Sequence, residues 1–143
     1  MTESKAKVET RQRVLIVENS PVMRKIIGDV FAPLPRMEVV GHAKDGVEAL
    51  ESIAQLQPDI VVMDIQMPRL SGLEVLKRLP PGQCRVIMLS AHADEFYVEK
   101  CRQLRADNFF DKLTDFHAFV DYVTWLAEAG KNSEAGSQKS GAK

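Results

Sequence analysis

The sequence predicts a doubly wound α/β domain, a five-stranded parallel sheet covered by helices on both faces. Three observations predict it. Short aliphatic runs alternate about five times with amphipathic stretches, and such alternation calls for parallel strands joined by right-handed helical crossovers. The runs, Ile60-Val61-Val62-Met63 among them, are apolar at every position rather than at every second one, as in strands buried on both faces. The chain has 143 residues, a length that suits one domain with a single substantial core.

The elements follow in order. Val14–Val17 is a buried first strand. A helix is expected over Pro21–Phe31, with Ser20 as N-cap and Pro21 at the first helical position, where its missing N–H costs nothing. Pro33 and Pro35 end it. Met37–Ala43 is the second strand. Gly46–Leu56 is the second helix, Asp45 near its N-cap, with Val47, Leu50 and Ala54 on one face and Pro58 beyond its end. Asp59–Met63 is the third strand. Leu73–Leu79 is a short helix stopped by Pro80-Pro81-Gly82. Arg85–Leu89 is the fourth strand, Asp94–Leu104 the fourth helix and Asn108–Phe110 a short fifth strand. Asp115–Glu128 closes the domain, its Phe116, Phe119, Val120, Val123 and Leu126 recurring at helical spacing. Residues 1–12 and 129–143 read as disordered tails, charged or rich in Gly, Ser and Lys without an apolar period. The folded domain is therefore expected over residues 13–128, with no output domain after it.

Composition narrows the function classes. Hydrophobic residues make up 45% and charged residues 27%, with a net charge of −1. That balance gives no electrostatic ground for a nucleic-acid partner. No apolar run is long enough to span a bilayer, and none resembles a secretory leader. Cys84 and Cys101 form neither a disulfide framework nor a metal spacing, which suits a reducing cytoplasm. His42, His92 and His117 are scattered without metal-ligand spacing. Gly41 and Gly46 make no phosphate loop.

The flavodoxin-like strand order 2-1-3-4-5 is the arrangement expected at this size, and it sets the ligand crevice between the ends of the first and third strands. Glu18 and Asn19 follow the first strand, Asp64 the third, Ser90 the fourth and Lys112 the fifth. A charge within an apolar strand is costly, so Asp64 belongs where that strand meets water. Two acids, an amide, a hydroxyl and an amine thus share one sheet edge.

The residues at that edge carry a resemblance. Glu18-Asn19-Ser20 with Met23-Arg24, Asp59–Asp64 with Met67-Pro68 and Ser71-Gly72, Ile87–Ala91, and Ala106–Lys112 together resemble the receiver domain of two-component response regulators. The resemblance spans nearly all of the expected folded part. It implies that Asp64 accepts a phosphoryl group, that Ser90 and Lys112 contact it, and that Ser90 and Phe109 form the switch. It implies Mg²⁺ as cofactor, held by Glu18, Asn19, Asp64 and the main-chain carbonyl of Gln66. A histidine kinase or phosphotransfer protein is the implied phosphodonor. The fourth helix, fifth strand and last helix, with Tyr97, Tyr122 and Trp125 and extended by Phe96, form the implied face for a downstream protein or a second copy.

The chemistry asks for these residue types. A carboxylate can attack phosphorus and hold the group as an acyl phosphate. A divalent cation brings the two anions together, and Mg²⁺ takes oxygen ligands while keeping several waters. Lysine supplies a point charge. Two departures from the family pattern stand out. The usual acid pair is Glu18-Asn19 here, one formal negative charge fewer, which predicts weaker Mg²⁺ binding. Leu113 stands where the family has a proline with a cis bond, and a non-proline residue prefers trans by about 3 kcal/mol. The expected function is a stand-alone receiver signalling by protein contact, with no separate turnover reaction. A pseudo-receiver acting as an interaction module is the alternative. A haloacid-dehalogenase-like phosphatase is disfavoured because Gln66 occupies the position of its second acid, and a flavodoxin because no phosphate loop follows the first strand.

Overall fold

The computed structural model describes residues 11–129. Nearly all of the two expected tails lies outside the described residues. The five strands are β1 (Gln12–Val17), β2 (Met37–Ala43), β3 (Ile60–Met63), β4 (Arg85–Ser90) and β5 (Asn108–Asp111). They pair in the order β2-β1-β3-β4-β5, every pair parallel, as the sequence predicts. Five helices connect and follow them: α1 (Pro21–Phe31), α2 (Gly46–Leu56), α3 (Gly72–Arg78), α4 (Glu95–Gln103) and α5 (Phe116–Ala129).

Side-chain caps set several boundaries. Ser20, Asp45, Ser71 and Asp94 each accept a hydrogen bond from the backbone N–H three residues on. That satisfies donors the first helical turn leaves unpaired. Capping by Ser71 starts α3 at Gly72, one residue before its apolar pattern begins. Capping by Asp94 places that residue outside α4 rather than in its first turn. β1 starts at Gln12, two residues ahead of its apolar run, because the Gln12 N–H bonds to the Arg36 carbonyl. Asp59 lies just before β3, its carboxylate accepting from the Arg13 N–H at 2.8 Å.

The sheet separates two apolar layers. On one face Leu15, Val17, Val61, Met63 and Met88 pack with Ala49 and Ile53 of α2, Val75 and Leu76 of α3 and Cys101 of α4. On the other, Val14, Ile16, Val62, Ile87 and Leu89 pack with Ile27 and Phe31 of α1 and Phe119, Val123 and Ala127 of α5. Alternate strand residues serve opposite layers, which is why these strands are apolar throughout. The helices are unequally anchored. In α4 only Cys101 is fully buried. Among the described residues no helix is long and apolar enough to cross a membrane.

Candidate functional site

Strand register builds the site. Val17 of β1 lies opposite Met63 of β3, so the next residues, Glu18 and Asp64, leave neighbouring strands side by side. Both backbones stay tied to the sheet: the Glu18 N–H donates to the Ala43 carbonyl at 2.9 Å and the Asp64 N–H to the Val17 carbonyl at 3.2 Å. Ser90 pairs with Asp111 across β4 and β5, and the Lys112 N–H then donates to the Ser90 carbonyl at 2.9 Å. Four strand ends therefore deliver Glu18, Asp64, Ser90 and Lys112 to one edge.

The Lys112 ammonium closes the arrangement. Its Nζ lies 2.9 Å from Glu18 Oε1 and 2.8 Å from Asp64 Oδ2. All three side chains are largely buried, with exposures of 13% for Lys112, 5% for Glu18 and 9% for Asp64. Burial pulls the Lys112 pKa down, but the hydrogen bonds and charges of Asp64 and Glu18 outweigh it and leave the amine above its ordinary value. The remaining carboxylate oxygens are also used. Glu18 Oε2 accepts from the Ser20 N–H at 3.0 Å, and Asp64 Oδ1 from the Gln66 N–H at 3.3 Å.

The other predicted residues divide. Ser90 is fully buried, and its hydroxyl accepts from the His92 N–H at 3.1 Å. Asn19 and Gln66 are exposed at the rim. Phe109 is half-buried against the α2, α3 and α4 layer. Among the described residues no peptide bond is cis, as the leucine at 113 leads one to expect. The Leu113 N–H donates to Asp111 Oδ1 at 2.8 Å, a bond that a proline there could not make.

The expected interaction face is more deeply packed than its sequence pattern shows. Tyr122, half-buried, packs against the α1 and α5 layer. Its hydroxyl accepts from the Arg85 guanidinium at 2.9 Å. Burial pushes the phenol pKa up, with Arg85 opposing. Trp125 is half-buried and stacked on Tyr122 at 6.0 Å. Tyr97 is half-buried against the opposite layer, whereas Phe96 is 61% exposed.

Supporting contacts appear that the sequence pattern does not reveal. Arg24 donates to the Glu18 carbonyl at 2.9 Å and to the Asn19 carbonyl at 3.1 Å, fixing the loop that carries both. Arg69 adopts a left-handed backbone at φ 68° and pairs with the buried Asp45 at 3.0 Å. The Asp45 carboxyl sits below its ordinary pKa, first because of the Glu48 N–H it caps and, against burial, because of Arg69. Gly72 and Gly46 allow close approach. A Cβ on Gly72 would meet the Asp64 carbonyl oxygen at 2.2 Å, and one on Gly46 the Leu70 carbonyl oxygen at 2.2 Å. Only glycine lets α3 start against the backbone of Asp64. The Ser71-Gly72 pair was the available signal.

The donor set can be tested for a metal. Among the described residues no cluster of three or more His, Cys, Asp or Glu side chains could hold one. Two carboxylates, Glu18 and Asp64, converge within 3 Å of the same point, the Lys112 Nζ. Mg²⁺ is commonly held by one or two carboxylates together with waters and phosphate oxygens rather than by an all-protein cage. The set fits such an ion and does not fit a thiolate or imidazole metal.

Comparison with known proteins agrees with this geometry. The family model for the response regulator receiver domain matches residues 14–124. A protein-glutamate methylesterase/protein-glutamine glutaminase of Syntrophomonas wolfei is 43% identical over 105 residues, covering 71% of this chain and 30% of that protein. The corresponding protein of Thermotoga maritima is 46% identical over 84 residues, 58% of this chain and 24% of that one. The chain thus spans less than a third of these relatives. Among solved structures, the response regulator domain of Thermotoga maritima CheB is 34% identical, with a TM-score of 0.74 over 85% of this chain and 97% of that one. The CheX–CheY–BeF3–Mg complex from Borrelia burgdorferi is 28% identical, with a TM-score of 0.70 over 82% of this chain and 90% of that one.

Proposed function

The chain belongs to the response regulator receiver domain family, and we propose that it accepts one phosphoryl group on Asp64 and signals by protein contact. The observation that carries this reading is the Lys112 amine within 2.9 Å of both the Glu18 and Asp64 carboxylates at the carboxyl edge of the sheet. The donor is a phosphohistidine on a histidine kinase or phosphotransfer protein. An Asp64 carboxylate oxygen attacks phosphorus, the P–N bond breaks, and the departing imidazole takes up a proton. Lys112 neutralises charge on the acyl phosphate. The Ser90 hydroxyl turns from the His92 N–H toward a phosphoryl oxygen, and Phe109 turns inward beside it.

Mg²⁺, when bound, offsets the mutual repulsion of carboxylate and phosphoryl oxygens. Asp64, the Asn19 amide oxygen and the Gln66 carbonyl would hold it, with Glu18 supplying the second negative charge. Because Asn19 is neutral, the site binds the ion weakly. Output passes through the face of α4, β5 and α5, where Tyr97, Tyr122 and Trp125 lie and Phe96 protrudes, toward a downstream protein or a second copy. We place the domain in the cytoplasm as a stoichiometric phosphoryl acceptor. A second reading, an interaction module with impaired phosphorylation, draws on Asn19 and on the Leu113 N–H bond to Asp111.

The test is incubation with acetyl phosphate and Mg²⁺ followed by mass spectrometry. Wild type should gain one phosphoryl group and Asp64→Asn none. A wild type that stays unmodified, while its amide signals still respond to a partner, supports the interaction module instead.

A further inference from the structure

We infer that Glu18 is a positioning residue for Lys112, a second anchor that keeps the amine in the site whatever the state of Asp64. The inference rests on the receiver reading and adds to it a task for the residue that departs from the usual acid. Lys112 Nζ has two carboxylate partners at almost equal distances, Glu18 at 2.9 Å and Asp64 at 2.8 Å. Asp64 is the group that changes. Once it carries a phosphoryl group, Asp64 is an acyl phosphate rather than a free carboxylate, and the amine must adjust its partners.

Glu18 does not change, and it is held fixed. Its backbone N–H is tied to the Ala43 carbonyl, its backbone carbonyl to Arg24 and its Oε2 to the Ser20 N–H. Only Oε1 faces Lys112, and the residue is 4% exposed. The side chain therefore presents one oxygen, at a set place, to a lysine whose long stem would otherwise carry considerable rotamer entropy.

Arm length is the specific element. An aspartate at this position would be shorter by one carbon–carbon bond, about 1.5 Å. That retreat takes the carboxylate out of hydrogen-bond range of the amine while keeping its charge at the site. Lengthening the acid thus gives Lys112 an anchor.

The experiment observes the Lys112 side-chain ammonium directly by ¹⁵N-resolved NMR of the full chain without metal or phosphodonor, assigned by its disappearance in Lys112→Arg. A held ammonium exchanges slowly enough with water to be seen. The signal should be present in wild type and retained in Asp64→Asn, where Glu18 alone holds it. It should be lost in Glu18→Asp and in Glu18→Ala, with the backbone amide fingerprint of each confirming the fold. Should one of the two Glu18 variants fail to fold, the other decides. No signal in wild type, a signal that survives in a folded Glu18 variant, or its loss in Asp64→Asn would each overturn the assignment. Failure of wild type to take up a phosphoryl group would count against the receiver reading and leave the amine result untouched.

Discussion

Replacing Gly72 by alanine adds one methyl group where α3 begins, against the backbone of the proposed phosphoacceptor. The new Cβ would lie 2.2 Å from the Asp64 carbonyl oxygen, 3.1 Å from its carbonyl carbon and 3.0 Å from Ile65 Cα. These are main-chain atoms, so no rotamer change relieves the contact; the loop or the helix must shift. Overpacking of this kind costs about 1–3 kcal/mol, and a clash with rigid backbone belongs at the upper end. Alanine recovers at most about 1 kcal/mol of helix propensity, and less in a first turn. The net expectation is a loss of about 2 kcal/mol. Gly28 is the internal control. It sits inside α1, and a Cβ there meets only Ile16 Cδ1, at 4.0 Å, so Gly28→Ala should gain about 0.5–1 kcal/mol. The two variants are separated by roughly 3 kcal/mol, about 10 °C in thermal midpoint for a domain of this size. Thermal and urea unfolding followed by circular dichroism measure both. A Gly72→Ala protein as stable as wild type, or a shift of the same sign in both variants, would refute the reasoning.

Other outcomes follow from the same packing and charges. Phe119 is fully buried and meets Phe31, Phe110 and Phe116 at ring distances of 6.2, 5.9 and 5.5 Å; Phe119→Ala should cost about 3–5 kcal/mol in urea unfolding. Asn19→Asp restores a charge at the rim and should raise Mg²⁺ affinity by at least about fivefold, the effect of ~1 kcal/mol between charges ~4 Å apart in water, read from amide shifts during Mg²⁺ titration. The Lys112 amine has its pKa raised by folding, so its contribution is fully present below the unfolded lysine value of about 10.4 and is lost as pH rises through the higher folded value. Wild type should therefore lose more stability than Lys112→Met between neutral pH and that alkaline range, as measured by urea unfolding at each pH.

What the sequence made legible was mostly local. Ser20 and Pro21 announce α1 within two residues, and Asp64 announces the end of β3 by following four apolar ones. The parallel sheet followed from the regular alternation of runs, and the strand order from the arrangement expected at this size. The convergence of the side chains was legible as a coincidence of strand ends, and the roles proposed for Ser90, Lys112 and Phe109 rest on family resemblance rather than local chemistry. Pairings over long separations were hidden. Lys112 and Glu18 lie 94 positions apart, and Arg69 and Asp45 lie 24 apart; no periodicity encodes either contact. The partner of Tyr122 was hidden in the same way. Arg85 on β4, 37 positions away, gives its hydroxyl a partner while the ring packs partly covered on the α1 and α5 layer.

Helix α4 commits a single fully buried side chain, Cys101, to the interior, while β3 at the centre of the sheet commits all four of its own. Moving or partly unwinding it would uncover little apolar surface, so its opening lies at the low end of the local free-energy scale. The proposed output and the scaffold are thereby divided between different parts of the molecule. The helix nearest the proposed output can wander or yield to a bound protein without loosening the sheet that keeps the carboxylates in register.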